Sequence, residues 1–466
     1  MSSSQRSSNL ALHVAMFPFL AGGHQIPFLQ LSNKLAQRGH RVSFLLTNKT
    51  KLKFEPYNLY PNLITFIPLT VPHTDGLPLG TETMADVSRS MAPLFLKVID
   101  KMSDQVDAVL RDLKPNIVFY DFFHWIPSLA RPLGAIPIFY TILDPVAFAY
   151  LFLPVRELQL PKGENLDETL LLQPPPGFPD SSIYLHLHEA RESLEFYKEF
   201  ISGMTTVEFL RKCVKECDAW CFRTCREIDG AFSDCLETHY EKQIVLAGPV
   251  IDFPPASSTL EERWTNWLDG FKTGSVVYCA FGSECVLEKD KFQELLLGFE
   301  MTGLPFLVAL KPPFGAETVE EALPEGFQER VEGRGVVYGG WVQQQLILRH
   351  PSVGCFISHC GSSSLWEALV NECQLVLLPQ GTELFVSARR ISTYLKAGVE
   401  IERREEDGWF NRESVFKAIK MVMDEDSKVG TEIRANKTKW KDFLSQESLD
   451  SSYIDNLVLK LQDLVD

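Results

Sequence analysis

The sequence predicts an α/β protein built from two doubly wound domains, and three observations support this prediction. The chain has 466 residues, which is more than one hydrophobic core ordinarily serves. Short apolar, β-prone runs alternate with helical stretches through both halves, a pattern typical of parallel sheets covered on both faces. Residues 247–259 are rich in proline and small polar residues, as linkers between domains are.

The alternation defines the predicted domain boundaries. Residues 1–246 are expected to form the N-terminal domain, residues 247–260 the linker and residues 261–446 the C-terminal domain. The strands predicted in the first half are 12–17, 42–46, 63–67, 117–120 and 136–140. Those predicted in the second half are 275–281, 306–310, 336–338, 353–358 and 375–378. Helices are predicted at 28–39 and 91–113, and the proline-rich segment from about 150 to 190 is too long for a plain connection.

Composition and charge exclude several classes of partner. A hydrophobic content of 45% and a charged content of 23% are typical of a globular protein. The formal net charge of −16 argues against nucleic acid and against anionic membranes as partners. The first apolar run, residues 10–17, is too short to span a bilayer and lacks a cleavage pattern. We therefore expect a cytoplasmic protein without stable membrane insertion.

Four of the ten cysteines, Cys213, Cys217, Cys221 and Cys225, recur every fourth residue and raise the alternative of a metal site. Zinc sites usually contain more closely spaced pairs. The sequence also changes from a helical to a strand pattern near Asp218, which breaks up a helical stripe of ligands. We interpret these residues as structural cysteines of a reducing compartment, and no metal site is predicted.

One strand–turn–helix unit in the second half has the form of a phosphate-binding site. Val353–Ser358 is a short apolar strand, and the small residues from His359 onward turn the chain into a helix that is predicted to begin near Ser364. Such a turn points backbone N–H groups and the positive end of a helix at one place, which favours a diphosphate. Many doubly wound folds contain such a turn, so more specific signals are needed.

The segment around this unit supplies those signals. It contains Trp341-Val-Gln-Gln344, Ile347-Leu-Arg-His350, the turn itself and Glu367, and it resembles the donor-binding signature of plant family 1 UDP-sugar glycosyltransferases. The resemblance covers essentially the whole chain. It implies a GT-B fold, in which two Rossmann-like domains face each other across a cleft. It also implies that the amphipathic tail, residues 447–466, forms a helix that packs back on the N-terminal domain.

The resemblance also assigns the donor site. It implies that Trp341 stacks on uracil, that Gln344 and Glu367 contact the ribose, and that His359 and Ser364 contact the diphosphate. The other positions of the predicted donor site are Val342, Gly361, Ser363, Gly282, Ser283 and Glu383. Taken singly, Trp341 and Phe356 are equally well explained as core aromatics and His359 as a loop histidine. The complete set at this spacing favours the donor site.

Two further residues are predicted to be catalytic. His24 follows the first strand, and an imidazole titrates near neutrality, which suits the removal of a proton from an acceptor hydroxyl. Asp121 ends a buried strand. The resemblance implies that His24 is the base and that Asp121 orients it. The alternatives are a helix-entry histidine and a helix-capping aspartate. The implied reaction is a direct displacement that inverts the anomeric centre, without an obligatory metal or other cofactor.

The sequence departs from the family pattern at two positions of the donor site. Ser363 stands where members usually carry asparagine, and Leu384 follows Glu383 where they usually carry glutamine. A leucine cannot hydrogen-bond a sugar hydroxyl, so the pocket favours a less hydroxylated sugar or binds an ordinary one more weakly. Glucose as the donor sugar is therefore in question, with rhamnose and a pentose such as xylose as alternatives.

Several stretches place the chain nearest to one branch of the family. Residues 16–19, 67–73, 340–345, 368–374 and 405–408 resemble the anthocyanidin-3-glucoside rhamnosyltransferases and related enzymes that extend a sugar already on a flavonoid. We expect a monomer whose partners are a UDP-sugar and a glycoside acceptor, with Phe19, Phe122, Phe123, Phe148 and Tyr150 as candidates for the acceptor pocket or the core. The alternatives are a transferase that acts on a terpenoid or phenolic aglycone, and a UDP-sugar-binding protein without catalysis.

Overall fold

The computed structural model describes residues 11–88, 91–159, 167–198, 200–201, 204–251, 258–282 and 285–465. The chain divides into two compact units. The first comprises Met1–Leu158, Glu195–Val250 and Glu447–Asp466, and the second comprises Gln159–Leu194 and Ile251–Gln446.

The first unit is built on a parallel sheet of seven strands. In chain order the strands are β1 (His13–Phe17), β2 (Arg41–Thr47), β3 (Ile64–Leu69), β4 (Ile117–Tyr120), β5 (Ile136–Thr141), the short antiparallel pair β6 (Phe200–Ile201) and β7 (Met204–Thr205), then β8 (Ala219–Phe222) and β9 (Ile244–Leu246). The order across the sheet is β3-β2-β1-β4-β5-β8-β9, and every neighbouring pair is parallel. β1 and β4 are buried along their whole length, as strands covered on both faces are.

The second unit is built on a parallel sheet of six strands. They are β10 (Val276–Ala280), β11 (Phe306–Ala309), β12 (Gly335–Tyr338), β13 (Val353–Ser358), β14 (Gln374–Leu377) and β15 (Gly398–Glu400). Their order is β12-β11-β10-β13-β14-β15, again with parallel neighbours throughout. This is the strand order of a Rossmann domain.

Helices cover these sheets. In chain order they are α1 (Gly22–Gln37), α2 (Asn48–Phe54), α3 (Ala92–Asp100), α4 (Ser103–Leu113), α5 (Ile126–Ala130), α6 (Pro145–Leu151), α7 (Pro154–Gln159), α8 (Thr169–Leu172), α9 (Leu187–Ser193), α10 (Glu195–Lys198), α11 (Thr206–Lys215), α12 (Arg226–Tyr240), α13 (Glu262–Leu268), α14 (Lys289–Thr302), α15 (Phe327–Arg330), α16 (Gln344–Leu348), α17 (Ser362–Leu369), α18 (Thr382–Arg389), α19 (Arg412–Met423), α20 (Lys428–Leu444) and α21 (Glu447–Val465). No helix among the described residues is both long enough and apolar enough to cross a bilayer.

In each sheet the strand order reverses between two neighbouring strands, and each of these strands is followed in the chain by a predicted site residue. In the first sheet the reversal lies between β1 and β4, which lead to His24 and Asp121. In the second it lies between β10 and β13, which lead to Gly282 and His359. Ligands of doubly wound sheets bind outside the carboxyl ends of the strands at such a point. The topology therefore places each group of residues where its own sheet favours a ligand.

All ten predicted strands are present, while some predicted helix ends differ. The first helix begins at Gly22 rather than near residue 28, so His24 lies in its first turn and Pro27 lies within it. The helix predicted over 91–113 is two helices, α3 and α4, which are separated at residues 101–102. The helix after His359 begins at Ser362, two residues earlier than predicted.

The division into units differs from the predicted boundaries, because part of the predicted N-terminal domain belongs to the second unit. Glu189 on α9 is completely buried and accepts hydrogen bonds of 2.9 and 3.1 Å from Nη2 of Arg389 and a further one from Arg403. Burial alone would raise the pKa of Glu189, but the two guanidinium charges hold it below its usual value. These ion pairs tie the segment before residue 194 to α18 and its surroundings.

The C-terminal helix α21 packs on the first unit. Ile454, Leu457 and Leu461 are buried in the same core as β1 and β2. The hydroxyl of Tyr453 accepts a hydrogen bond of 2.7 Å from the backbone N–H of Arg226. Of the predicted linker, residues 252–257 lie outside the described part of the chain.

All ten cysteines are free thiols. Cys213 lies on α11, Cys217 follows that helix, Cys221 lies on β8 and Cys225 precedes α12. The four residues therefore occupy a helix, a strand and two connections rather than one helical stripe. Burial raises the pKa of each of these thiols above its usual value.

Candidate active site and donor site

His24 and Asp121 meet in the first unit. His24 lies in the first turn of α1, and Asp121 is the residue that follows β4. Nδ1 of His24 is hydrogen-bonded to Oδ2 of Asp121, although 97 residues separate them in the chain. The side chain of Asp121 is completely buried, whereas that of His24 is 15% exposed. The buried carboxylate of Asp121 therefore contacts the inner edge of the imidazole, while part of the ring of His24 is exposed to solvent.

This contact selects one tautomer of the neutral imidazole. With the proton on Nδ1 donated to the carboxylate, the lone pair lies on Nε2, which is the arrangement of a general base. The other carboxylate oxygen of Asp121, Oδ1, is buried and has no hydrogen-bond partner within the described residues. The pair can thus accept a proton at Nε2 while the buried carboxylate stabilises the resulting imidazolium.

Two aromatic rings flank the imidazole. The ring of Phe19 lies edge-on to His24 at a centroid distance of 5.2 Å, and that of Phe122 lies edge-on at 5.3 Å. Phe122 is half-buried. The two phenyl rings make the surroundings of the base apolar.

Three other candidates for an acceptor pocket belong to the core instead. Phe123, Phe148 and Tyr150 are almost completely buried. Phe123 stacks on Phe17, with ring centroids 4.0 Å apart, and Phe148 lies edge-on to Trp220 at 4.9 Å. Phe19 and Phe122 therefore remain as candidates for acceptor contacts.

In the second unit, His359 sits over a turn that requires glycine. A methyl group added to Gly361 would lie 2.6 Å from Nε2 of His359, and one added to Gly282 would lie 3.2 Å from its Cε1. Cys360 has a left-handed backbone, with φ at 73°, and its N–H donates to Oγ of Ser358 at 3.1 Å. These constraints hold the imidazole close to the backbone between β13 and α17.

Burial lowers the pKa of His359 to about 4. The side chain is therefore neutral near pH 7, and it can offer an anion a ring N–H but no full positive charge. The positive end of α17 begins three residues later, at Ser362. An anion at this turn would be held by dipoles and N–H groups.

The predicted ribose-binding residues form one hydrogen-bonded group. Nε2 of Gln344 donates to Oε2 of Glu367 at 2.7 Å and to Oγ of Ser364 at 3.1 Å. Gln344 begins α16, and the other two residues lie on α17. Trp341, just before α16, is 69% exposed, so a face of its indole is open to a stacking partner. The structure thus brings together three residues, Gln344, Ser364 and Glu367, which lie up to 23 positions apart in the sequence.

The remaining donor-site candidates differ in their surroundings. Val342 is buried, and Ser363 is half-buried in the first turn of α17. Glu383 is half-buried in the first turn of α18. The side chain of Leu384 lies next to Gly381, where a Cβ added to the glycine would be 3.7 Å from Cδ1 of Leu384. Ser283 lies outside the described residues.

Two residues that were not predicted from the sequence support this group. Gln345 donates to Oε1 of Glu367 at 3.0 Å. Lys437 on α20 is almost completely buried, and its Nζ donates to the carbonyl oxygens of Leu369 (3.2 Å) and Asn371 (2.5 Å), at the end of α17. Burial lowers the pKa of Lys437. The run of three glutamines was a visible signal for Gln345, whereas nothing local in the sequence connects Lys437 with α17.

Solved structures share the architecture of this chain. Glycyrrhiza uralensis UGT73P12, complexed with glycyrrhetinic acid 3-O-monoglucuronide, aligns with a TM-score of 0.81 over 97% of this chain and 96% of that one, at 20% identity. A UDP-glucose:anthocyanidin 3-O-glucosyltransferase in complex with UDP aligns with a TM-score of 0.77 over 97% and 99%, at 23% identity. The fold is therefore that of a GT-B glycosyltransferase, as predicted.

Sequence comparisons assign the family. Residues 319–432 match the UDP-glucoronosyl and UDP-glucosyl transferases. A cyanidin 3-O-galactoside 2''-O-xylosyltransferase of Actinidia chinensis var. chinensis is 53% identical over 97% of this chain and 98% of its own. An anthocyanidin 3-O-glucoside 2''-O-glucosyltransferase of Ipomoea nil is 50% identical over 97% and 98%. The chain belongs to the UDP-glucoronosyl and UDP-glucosyl transferase family and is a plant UDP-glycosyltransferase, which confirms the predicted family and enzyme class.

Proposed function

We propose that this enzyme transfers a sugar from a UDP-sugar to a hydroxyl of the sugar already carried by a flavonoid or anthocyanin glycoside, with inversion at the anomeric carbon. The observation that carries this proposal is the contact between His24 and Asp121 at the point where the first sheet reverses its strand order. A protein that only bound UDP-sugars would need no oriented base.

The proposed chemistry is a single displacement. Nε2 of His24 takes the proton of the acceptor hydroxyl while the hydroxyl oxygen forms a bond to the anomeric carbon. The bond between that carbon and the UDP oxygen breaks on the opposite side, and UDP leaves with the electron pair. Asp121 stabilises the imidazolium, which returns its proton to solvent after the products leave.

The second unit supplies the proposed donor site. We assign the uracil to Trp341 and Val342, the ribose to Gln344 and Glu367, and the diphosphate to the turn at His359, Gly361 and Ser364. Gly282, Ser283 and Ser363 are assigned to the same phosphate side, and Glu383 to the sugar hydroxyls. The N–H groups of this turn and the positive end of α17 counter the charge of departing UDP. Transfer is therefore proposed to proceed without an added divalent metal. The transfer rate should then be unchanged when the assay contains excess EDTA.

The acceptor proposal rests on the relatives. Two enzymes that are 50% and 53% identical to this chain along nearly its whole length are named for adding a sugar at the 2''-oxygen of anthocyanidin or cyanidin 3-O-glycosides. An anthocyanidin 3-O-glucoside 2'''-O-xylosyltransferase of Arabidopsis thaliana is 45% identical. The phenyl rings of Phe19 and Phe122 beside His24 suit a flat aromatic aglycone next to the reacting sugar.

We further propose a cytoplasmic monomer. All ten thiols are free, which suits a reducing compartment. Cell fractionation and size-exclusion chromatography with light scattering test the two statements separately.

A matrix of donors and acceptors tests the proposed reaction. Purified enzyme is incubated with UDP-glucose, UDP-rhamnose and UDP-xylose against flavonol and anthocyanin 3-O-glycosides, their aglycones and a terpenoid panel. The proposal predicts that the glycosides give products in which the flavonoid carries a disaccharide, and that the aglycones give little product. If only the aglycones give product, the acceptors are aglycones and the proposed glycoside acceptors are wrong. UDP binding without product from any pair would indicate a binding protein without catalysis.

A further inference from the structure

Residues 82–86 lie across the carboxyl edge of the first sheet. They follow β3 in the chain, yet they contact the connections after the two strands next in the sheet, β2 and β1. The backbone N–H of Lys49, at the start of α2 after β2, donates to Oε2 of Glu82 at 2.8 Å. The N–H of Met84 donates to the carbonyl oxygen of Leu20, after β1, at 2.9 Å. Ligands of doubly wound sheets bind at this edge, so residues 82–86, here called the edge segment, border the proposed catalytic region.

One carboxylate closes the edge segment. Oδ2 of Asp86 accepts from the backbone N–H groups of Glu82 at 3.1 Å and of Thr83 at 2.9 Å, and from the hydroxyl of Thr83 at 3.0 Å. Its Oδ1 is hydrogen-bonded to the ammonium of Lys49. Burial alone would raise the pKa of Asp86, but this ammonium and the two N–H groups hold it below its usual value. The carboxylate is therefore charged near pH 7, and the segment stays closed.

The bond to Leu20 restrains the turn that leads to His24. Leu20 is completely buried, and the N–H of Met84 is the hydrogen-bond partner of its carbonyl among the described residues. A buried carbonyl without a partner is unfavourable, so this bond holds the chain at Leu20. The ring of Phe19 lies edge-on to the imidazole of His24 at 5.2 Å. The carbonyl of Ala21 accepts from the backbone N–H of His24 at 3.0 Å. Both neighbours of Leu20 in the chain therefore contact the base.

We propose that the edge segment positions the catalytic base: Asp86 holds the segment closed, and the N–H of Met84 then fixes the turn that leads to His24. Met84 and Asp86 are positioning residues, because they act through Leu20 rather than on the reacting atoms. The inference rests on the proposed function, in which His24 removes the proton of the acceptor hydroxyl. Loss of the bond to Leu20 slows transfer and leaves the binding of UDP by the second unit unchanged.

Met84→Pro tests the hydrogen bond itself. Met84 is the first residue of a short 3₁₀ turn, Met84–Asp86, and a first helical position suits the φ of proline. Thr83 before it is extended, with φ at −142° and ψ at 164°, as residues before proline are. The variant therefore removes the N–H without opposing the local backbone. We expect kcat to fall about tenfold, since misplacing a reacting group by about 1 Å can cost about 100-fold and Asp121 still orients the imidazole. Met84→Ala keeps the N–H and should lose less activity than Met84→Pro.

Variants of Asp86 test the closure of the segment. Asp86→Ala removes every bond that closes it and should also lower kcat about tenfold. In Asp86→Asn the amide oxygen can still accept from the N–H groups of Glu82 and Thr83, so most of the wild-type rate should return. Lys49→Met removes only the exposed ion pair, and kcat should stay within about twofold because such pairs contribute little.

A matched control separates positioning from general loss of stability. Asn411 caps α19 in the second unit, where its Oδ1 accepts from the N–H of Ser414 at 2.9 Å. Asn411→Ala should lower the midpoint of thermal unfolding about as much as Asp86→Ala does, because each variant removes a cap. It should nevertheless keep the wild-type kcat. In the Met84→Pro and Asp86→Ala variants, the calorimetric affinity for UDP and the KM for the UDP-sugar should equal those of the wild type.

The outcomes distinguish this inference from the proposed function. If a folded His24→Ala keeps full activity, the base is wrong, and the proposed function and the inference fail together. If His24→Ala is inactive and a folded Met84→Pro keeps the wild-type kcat, only the inference fails. Equal losses in Met84→Pro and Met84→Ala, or in Asp86→Ala and Asn411→Ala, would also overturn it. So would a loss of UDP affinity that parallels the loss of kcat.

Discussion

The pairing of His24 with Asp121 gives the sharpest prediction about catalysis. In Asp121→Asn the side chain keeps its shape, but an amide N–H can then face Nδ1 of His24. The imidazole would have to carry its proton on Nε2, the atom that must accept the proton of the acceptor hydroxyl. In the serine-protease triad the same change lowers kcat about 10⁴-fold through the wrong tautomer. His24 is partly exposed and can turn to water, so we expect a smaller loss here, of about 10³-fold or about 4 kcal/mol in the activation free energy.

The assay measures the initial rate of product formation at saturating donor and acceptor, with the product quantified by chromatography. His24→Ala is expected to cost as much as Asp121→Asn or more, and the double variant little more than His24→Ala alone, because the two residues act as a unit. Asp229→Asn is the matched control, since Asp229 is equally buried and hydrogen-bonded to Thr224 but lies on α12, outside the proposed sites. Its kcat should stay within about twofold. Full activity of a folded Asp121→Asn, or additive losses in the double variant, would refute the tautomer argument.

Three further predictions concern the second unit. Leu384→Gln should raise the ratio of kcat/KM for UDP-glucose to that for UDP-xylose about tenfold, because it adds one hydrogen bond to the hydroxyl that glucose carries and xylose lacks; an unchanged ratio would show that Leu384 does not determine the choice of donor sugar. Gly361→Ala should weaken UDP binding about tenfold in calorimetry, because the added methyl displaces the imidazole of His359, whereas Gly339→Ala, whose methyl meets nothing closer than 3.4 Å, should bind UDP like the wild type. Glu189→Gln should lower the free energy of unfolding by about 3 kcal/mol in urea titrations, because the guanidinium groups of Arg389 and Arg403 lose the buried carboxylate that they share. The pKa of Glu189 is lowered in the folded state, so its contribution is fully present above the ordinary glutamate value and is lost as the pH falls through the folded value. The difference between wild type and Glu189→Gln should therefore be constant from about pH 5 to 8 and should shrink below about pH 4.

The sequence predicts the parts of the fold that depend on local pattern. β1, β4, β10 and β13 are short, largely apolar runs, and each was predicted within two residues of its observed ends. Because the carboxyl ends of parallel strands share one edge of a sheet, the observed strand order brings His24 near Asp121 and Gly282 near His359. From the sequence, these groupings were implied by the family resemblance and not by the strand pattern. The short strands β9 and β15, three residues each, carry too little pattern to be recognised.

What the sequence does not predict depends on contacts between distant segments. The first helix was predicted over residues 28–39, yet it starts at Gly22 and includes His24 and Pro27. The segment before residue 194 joins the second unit through an ion pair between residues 200 positions apart, Glu189 and Arg389, which no local pattern reveals. Gln343 and Gln345 look alike in the sequence, and only their tertiary partners show that one holds residues 259–261 and the other holds Glu367.

The configuration of the new glycosidic bond tests the central claim most directly. The product of a transferring donor and acceptor pair is isolated, and its anomeric proton is examined by nuclear magnetic resonance. With UDP-α-xylose or UDP-α-glucose, attack by an acceptor hydroxyl deprotonated by His24 gives a β-linked product, with a large vicinal coupling at the anomeric proton. An α-linked product, with a small coupling, would contradict a single displacement assisted by one base.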